Sequence, residues 1–303
     1  REDKVYRITP RQNDAVNSCW MPDSHRLNYK YINAETRIPQ PVIRTDAEAP
    51  HRPSTWEPAL ASAAEAVKRI APNQLAIIAS GRMTNEELYM VRHLAAQIGT
   101  DMVDIVPRMG ESDGMLISAD RNPNTNGARL VLDIEPGSRL DAIREGVRSG
   151  SIKGILSLGE DLISPEAGFT AEDLDKLDYL FMTAHSANET ARHADLVLPG
   201  VTYAEKFGTM INVTGRIQRL NRAIQPIGYA RDDWQIFRDI TLLLGGNPAL
   251  KDFNSALDIL TAMSTEYGAL NGVSWGSIGD GGQPILETGV TIPVVEREKN
   301  QGR

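Results

Sequence analysis

Two adjacent carboxylates, Glu160 and Asp161, follow Gly159 at the end of an apolar run, and a third, Asp195, stands just before Leu196-Val-Leu198-Pro199. Paired acids at a strand end can do acid–base work, or they can stay solvated in a turn approaching a helix. Asp195 could hold the amine of a bound cofactor, or accept backbone N–H groups where its strand begins. Gly208-Thr209 and Asn212-Val-Thr-Gly-Arg216 combine small residues that let a nucleotide approach the backbone with a planar cation suited to anions. The same residues suit a tight hairpin whose Arg216 pairs with one of the chain's acids. His185, ahead of Asn188-Glu-Thr190, has the residue type of a general base or of a turn cap, and His193 that of a surface or packing residue. Arg121-Asn-Pro-Asn-Thr-Asn126 reads as a rigid corner or a polar binding loop. Cys19 beside Trp20 reads as a small buried residue.

These residues need elements to hold them. Residues 1–53 are loop-rich: Val5–Ile8 reads as a strand ended by Pro10, Leu27–Ile32 as a short element, and Pro39, Pro41, Pro50 and Pro53 as an extended connector. Ser54-Thr-Trp-Glu57 fits a capping box opening a helix that stops near Pro72. Leu75–Ala79 reads as a buried strand, Thr84-Asn-Glu-Glu87 as a second capping box, and Gly99 as the stop of its helix; Met102–Val106 is the next strand. Strand, helix and strand in this order imply a right-handed parallel crossover. The pattern continues with strands at Arg129–Asp133, Ile152–Leu158, Tyr179–Ala184 and Leu196–Leu198, and helices at Arg139–Arg148, Thr170–Lys176 and Asp232–Leu244. The fold class is therefore α/β, a doubly wound and mostly parallel sheet over 54–250, with a small loop-rich N-terminal region and, over 251–303, a C-terminal helix and a tail that is loose from 270. In such a sheet, ligands bind beyond the carboxyl ends of the strands. That edge collects Ser80-Gly81-Arg82, Gly110–Asp113, Gly159–Asp161, His185–Thr190 and the 208–216 loop.

Composition excludes several classes. The 303 residues carry a net charge of −8, which argues against non-specific nucleic-acid binding. No apolar run approaches the ~18 residues of a membrane span, and the chain opens on Arg1, so targeting is not judged from its N-terminus. One cysteine permits no intramolecular disulfide and no four-cysteine iron–sulfur cluster held by this chain alone. The five histidines lack ligand spacing for zinc. Neither GxGxxG nor GxxxxGK[ST] occurs, which argues against a simple NAD site or a P-loop.

The stretch Ala191–Gln218, with Asp195-Leu-Val-Leu-Pro199, Glu205-Lys206, Gly208-Thr209, Asn212, Gly215-Arg216 and Gln218, resembles a signature of the molybdopterin oxidoreductase superfamily. Together with Val5–Arg11, Asn13–Asn17, Arg26–Tyr29, Ser54–Leu60, Ser118–Asn124 and Leu158–Leu162, it is similar to the C-terminal part of the large iron–sulfur subunit of bacterial respiratory complex I, over most of residues 4–246.

The resemblance implies a molybdopterin-oxidoreductase-like fold that scaffolds neighbouring iron–sulfur domains in the peripheral arm of an NADH–quinone oxidoreductase. The chain would be cytoplasmic, peripheral on the inner membrane, partnered by other subunits, and non-catalytic. Two departures matter. Where the family has a cluster-ligating cysteine in a Trp-x-Cys-Asp stretch, Trp20-Met-Pro22-Asp23 has proline, and Thr214 replaces an acid in Asn212–Arg216. The closing barrel domain of the molybdenum enzymes is also absent from this length. The expectation is no cofactor in this chain, with iron–sulfur clusters upstream or in partners. Were a pterin guanine dinucleotide site retained, Gly159, Glu160, Asp161, Asp195, Gly208, Thr209, Asn212 and Arg216 would form it. The alternatives are a formate dehydrogenase-like fragment and a free-standing small-ligand-binding domain.

Overall fold

The computed structural model describes residues 2–44 and 49–300. Its centre is a seven-stranded sheet in the order β2-β1-β7-β6-β5-β3-β4. Five strands are parallel: β3 (Leu75–Ala79), β4 (Val103–Ile105), β5 (Gly154–Leu158), β6 (Tyr179–Ala184) and β7 (Leu196–Pro199). The two-residue strands β1 (Val42–Ile43) and β2 (Arg52–Pro53) add antiparallel pairing at the β7 side. The proline connector is thus partly a sheet edge, which tolerates Pro53 because an outer strand has a free N–H side. Connector residues 45–48 lie outside the described residues.

Every residue of β3, β5, β6 and β7 is buried, and alternate side chains feed two cores. Leu75, Ile77, Ala79, Leu156, Phe181 and Leu198 face one core; Ala76, Ile78, Ile155, Leu180, Met182 and Val197 face the other. The strands therefore read as continuous apolar runs, as sheets covered on both faces do. Helices α2 (Trp56–Arg69), α3 (Asn85–Ile98), α4 (Thr125–Leu132), α8 (Asp233–Leu243) and α9 (Ala256–Glu266) cover the first face. Helices α5 (Leu140–Ser149), α6 (Ala171–Leu174) and α7 (Glu189–His193) cover the second. The mixed α/β architecture with a mostly parallel sheet is the expected one.

Helix α3 starts where its sequence says. The Thr84 Oγ1 accepts from Glu87 N at 3.3 Å, the Glu87 carboxylate accepts from Thr84 N at 2.8 Å, and Gly99 ends the helix at φ 80°. Four expectations fail for identifiable reasons. The capping box at Ser54–Glu57 does not form: Thr55 is the N-cap without a side-chain bond, and the Ser54 hydroxyl donates to Thr55 O. Residues 129–133 are not a strand but the end of α4. Asn124 fixes that helix by donating to Met83 O (2.7 Å) and Asn85 Oδ1 (3.0 Å) and accepting from Ile211 N (2.7 Å). Val5–Ile8 is no strand either, because the Asn33 amide satisfies both backbone groups of Val5. The stretch from 270 is not loose throughout. It holds α10 (Trp275–Ile278), β10 (Gln283–Pro284) and α11 (Pro293–Asn300), with Ile278, Val294 and Val295 buried; 301–303 lie outside the described residues.

A second sheet, β10-β9-β8, is antiparallel and holds the hairpin β8 (Gly208–Ile211) and β9 (Arg216–Leu220). In the N-terminal region, a 3-10 turn at Lys30–Asn33 falls where a short element is expected, Leu27–Ile32, and helix α1 (Asp23–Leu27) precedes it. Among the described residues no helix is long and apolar enough to cross a membrane.

Candidate functional site at the carboxyl edge of the sheet

The chain leaves β3 for β4 on one side and returns to β5 on the other, so the carboxyl ends of β3 and β5 flank the reversal of strand order where open sheets hold their ligands. The β3 end supplies Ser80-Gly81-Arg82, the β4 end Arg108, and the β5 end Gly159-Glu160-Asp161. Arg108 grips Glu160 with both terminal nitrogens, at 2.9 and 2.5 Å, in the bidentate fork geometry. Glu160 is buried. The solvated pair of acids is therefore corrected. Glu160 is consumed by Arg108, and Asp161 accepts from the Thr190 hydroxyl at 2.6 Å to pin α7. Gly159 is required by φ 74° rather than by a close neighbour, since a Cβ there would find Ser80 Cβ at 3.5 Å.

Arg82 makes no ion pair among the described residues and is exposed as a residue. Its guanidinium is held below its usual pKa, first by desolvation and second by the like charge of Arg108. His185 stacks at 5.2 Å from Tyr31, shares a 2.9 Å hydrogen bond with Ser186 Oγ, and is pushed down to about 4 by burial and then by Arg37, Lys206 and Arg82. It is neutral at pH 7 and far from the range in which a general base works best. His193 contacts Asp175 at 2.8 Å near the surface.

The rest of the expected site does not converge. Asp195 precedes β7, at the amino edge of the sheet, where it accepts from Leu180 N at 2.8 Å and lies 3.5 Å from Arg44. Gly208 does approach something closely, but that neighbour is its own chain: a Cβ there would meet Thr84 Cγ2 at 2.6 Å and Glu86 Oε2 at 2.8 Å. Thr209 is buried, and both its N and Oγ1 donate to Glu86 at 2.8 Å. Asn212 Oδ1 folds back on Thr214 N, Thr214 Oγ1 and Arg216 N. Arg216 pairs with no acid among the described residues; it donates to the Gly282 carbonyl at 2.8 Å. The 121–126 segment is the rigid corner, with Asn122 donating to Val106 O. Cys19 is exposed, not buried.

What lies behind this edge was not assigned from sequence. Lys206 Nζ lies 2.8 Å from both oxygens of Glu87, and both side chains are buried. Arg37 donates to Glu205 at 2.6 Å, also buried. Burial pushes Glu86 and Asp233 up to about 7 and Asp232 to about 6, and the charge of Glu87 raises Asp233 further. Gly200 must lack a side chain because the Asp233 carboxylate would stand 2.8 Å from its Cβ. The only sequence signals were Thr84–Glu87, read as a cap alone, and Glu205-Lys206, whose two charges turn to different partners.

Among the described residues no group of three or more His, Cys, Asp or Glu side chains could hold a metal ion. Of the signature donors that a pterin dinucleotide's phosphates would need, Thr209 N and Oγ1 and one terminal nitrogen of Arg216 are bonded within the chain.

Residues 121–241 match the family model for molybdopterin oxidoreductases. Over that segment the chain is similar to molybdopterin oxidoreductases. It is 32% identical over 144 residues to a formate dehydrogenase-like protein of Staphylococcus haemolyticus (strain JCSC1435), covering 47% of this chain and 15% of that protein. It is 33% identical over 136 residues to the NADPH-Fe(3+) oxidoreductase subunit alpha of Geobacter sulfurreducens, covering 44% and 16%. The chain thus spans about a sixth of the length of these relatives. The acetylene hydratase from Pelobacter acetylenicus shares the fold, with a TM-score of 0.60 over 93% of this chain and 70% of that one, at 9% identity.

Proposed function

We propose that this chain is a non-catalytic scaffold within the large iron–sulfur subunit of a complex I-like NADH–quinone oxidoreductase. It would hold no pterin or metal of its own and would pack beside electron-transfer domains in the peripheral arm. The observation that carries this reading is the inward use of the signature: Gly208, Thr209, Glu205 and Lys206 bind α3 and Arg37 instead of facing a cradle. The single cysteine and Pro22 support it, because clusters would then depend on ligands from other segments or subunits. Molybdenum analysis and pterin fluorescence on the purified subunit test it. The expected result is neither group at stoichiometric level, with loss of NADH–quinone electron transfer when the segment is deleted from the complex. Stoichiometric molybdenum or pterin would sink it.

A second reading, a formate dehydrogenase-like fragment, is favoured by the similarity to the Staphylococcus haemolyticus protein and by the exposed Arg82 at the strand reversal, which makes no ion pair among the described residues. Stoichiometric pterin in the same assay would decide for it.

A further inference from the structure

A cavity of about 660 Å³ lies between the N-terminal segment, the 116–123 loop and the β8–β9 hairpin, and it reaches Asn122, whose side chain lies against Gly81 at the strand reversal. We infer that it binds an uncharged, mostly apolar small molecule that presents a hydrogen-bond acceptor.

Size and lining support a small-molecule site. The volume falls within the roughly 300–1,000 Å³ of ligand pockets, which are mainly apolar with a few placed polar groups. Ile8, Trp20, Leu116, Met210, Val213 and Ile292 supply the apolar wall. Trp20 is fixed by its indole N–H, which donates to Glu298 at 3.1 Å, so α11 braces that side. Val294 N donates to Met115 O and holds the same helix to the loop.

Arg219, Arg121 and Asp120 on the wall each have a partner within the chain. Arg219 donates to Trp275 O and lies 2.5 Å from Asp280, Arg121 donates to the Glu111 carbonyl, and Asp120 accepts from Asn122 N. Arg219 is paired with Asp280, Arg121 makes no ion pair among the described residues, and His25 stands exposed at the rim. A chain of net charge −8 also disfavours an anion.

Neutral donors remain. Asn212 Oδ1 takes three donors, which fixes the orientation of its amide, and its Nδ2 donates to Gln218 Oε1 at 3.2 Å. The Gln218 amide is thereby oriented too, with Nε2 making no bond to the described protein. Tyr203 lines the same cavity, and burial raises its pKa, so the phenol keeps its proton and can donate. A ligand carbonyl oxygen would accept from one of these donors while its body replaces water against the apolar wall.

The inference does not rest on the scaffold reading, and its test has a different readout. The purified chain is titrated with Nile red, a neutral carbonyl-bearing probe, and with the sulfonated probe 1-anilinonaphthalene-8-sulfonate. Nile red should bind saturably, one per chain, with blue-shifted emission, and the sulfonate at least tenfold more weakly. Gln218→Leu should weaken Nile red about tenfold, the loss of one hydrogen bond. Val213→Trp should abolish binding by filling the space. Leu116→Trp, on the loop, serves the same end if the first variant does not fold. The inference is overturned by an absence of saturable binding, by equal binding of the sulfonate, by unchanged affinity in Gln218→Leu, or by wild-type binding in a folded tryptophan variant.

Discussion

Lys206 and Glu87, 119 residues apart in sequence, form a buried bidentate ion pair whose nitrogen is 2.8 Å from each oxygen. Glu87 also accepts from Thr84 N, so one carboxylate both caps α3 and anchors the segment that leads into β8. Breaking such a pair leaves a charge stranded in a poorly polarisable interior, at a cost of about 3–5 kcal/mol. Lys206→Met should therefore lower unfolding free energy by about that much in urea denaturation. The double variant Glu87→Gln/Lys206→Met should recover much of the loss, because the amide still accepts from Thr84 N while no charge remains. A double variant as unstable as the single one would show that the lysine matters by packing.

The same cluster sets a pH dependence. Asp233 and Glu86 titrate near 7 in the folded protein and near 4 when unfolded, so between these values the native state binds more protons. Stability then falls as pH rises through that window, since its slope follows unfolded minus native protons bound. Asp173, salt-bridged to Arg148, has a depressed pKa and acts oppositely, losing its contribution only as pH falls below the usual carboxylate range. The urea midpoint should be higher at pH 5.5 than at pH 8, and Asp233→Asn should flatten that difference. An equal slope in the variant would remove Asp233 as its source.

Local signals were the legible part. Leu75–Ala79 is a short apolar run between turn residues, and Thr84–Glu87 carries its own cap; both stand where the sequence places them. Residues 129–133 failed because Leu130-Val-Leu132 looks like a buried strand in isolation. What makes it helical is the Asn124 amide clamped to Met83, Asn85 and Ile211, contacts 39 to 87 residues distant. Glu160 looked solvated for the same reason: its partner Arg108 is 52 residues away. The signature at 191–218 was legible as a motif, but whether its groups face a ligand or their own chain depends on α3, which lies before it in sequence.

Gly208 makes that dependence testable. An added methyl would overlap Thr84 and the Glu86 carboxylate in a filled space, and overpacking of this kind costs about 1–3 kcal/mol. Gly208→Ala should lower the melting temperature clearly. Gly276→Ala, where the nearest atom is 3.9 Å away, should stay within about ±0.5 kcal/mol. Equal effects at the two sites would mean that the β8 start is looser than this packing.

The two arginines at the strand reversal should separate in the same way. Arg108 is partly buried and holds the buried Glu160 by two hydrogen bonds, so Arg108→Ala strands a carboxylate and should cost several kcal/mol, of the order of 3. Arg108→Ala/Glu160→Gln should regain part of this. Arg82 makes no ion pair among the described residues, so Arg82→Ala should change stability by less than about 0.5 kcal/mol and remove the like charge beside Arg108. Thermal and urea unfolding of the three variants checks both statements. A large loss from Arg82→Ala would mean that this exposed cation is structural, removing the feature that favours the formate dehydrogenase-like reading. A negligible loss from Arg108→Ala would mean that Glu160 is reached by water, and the edge would then be more open than its buried ion pair implies.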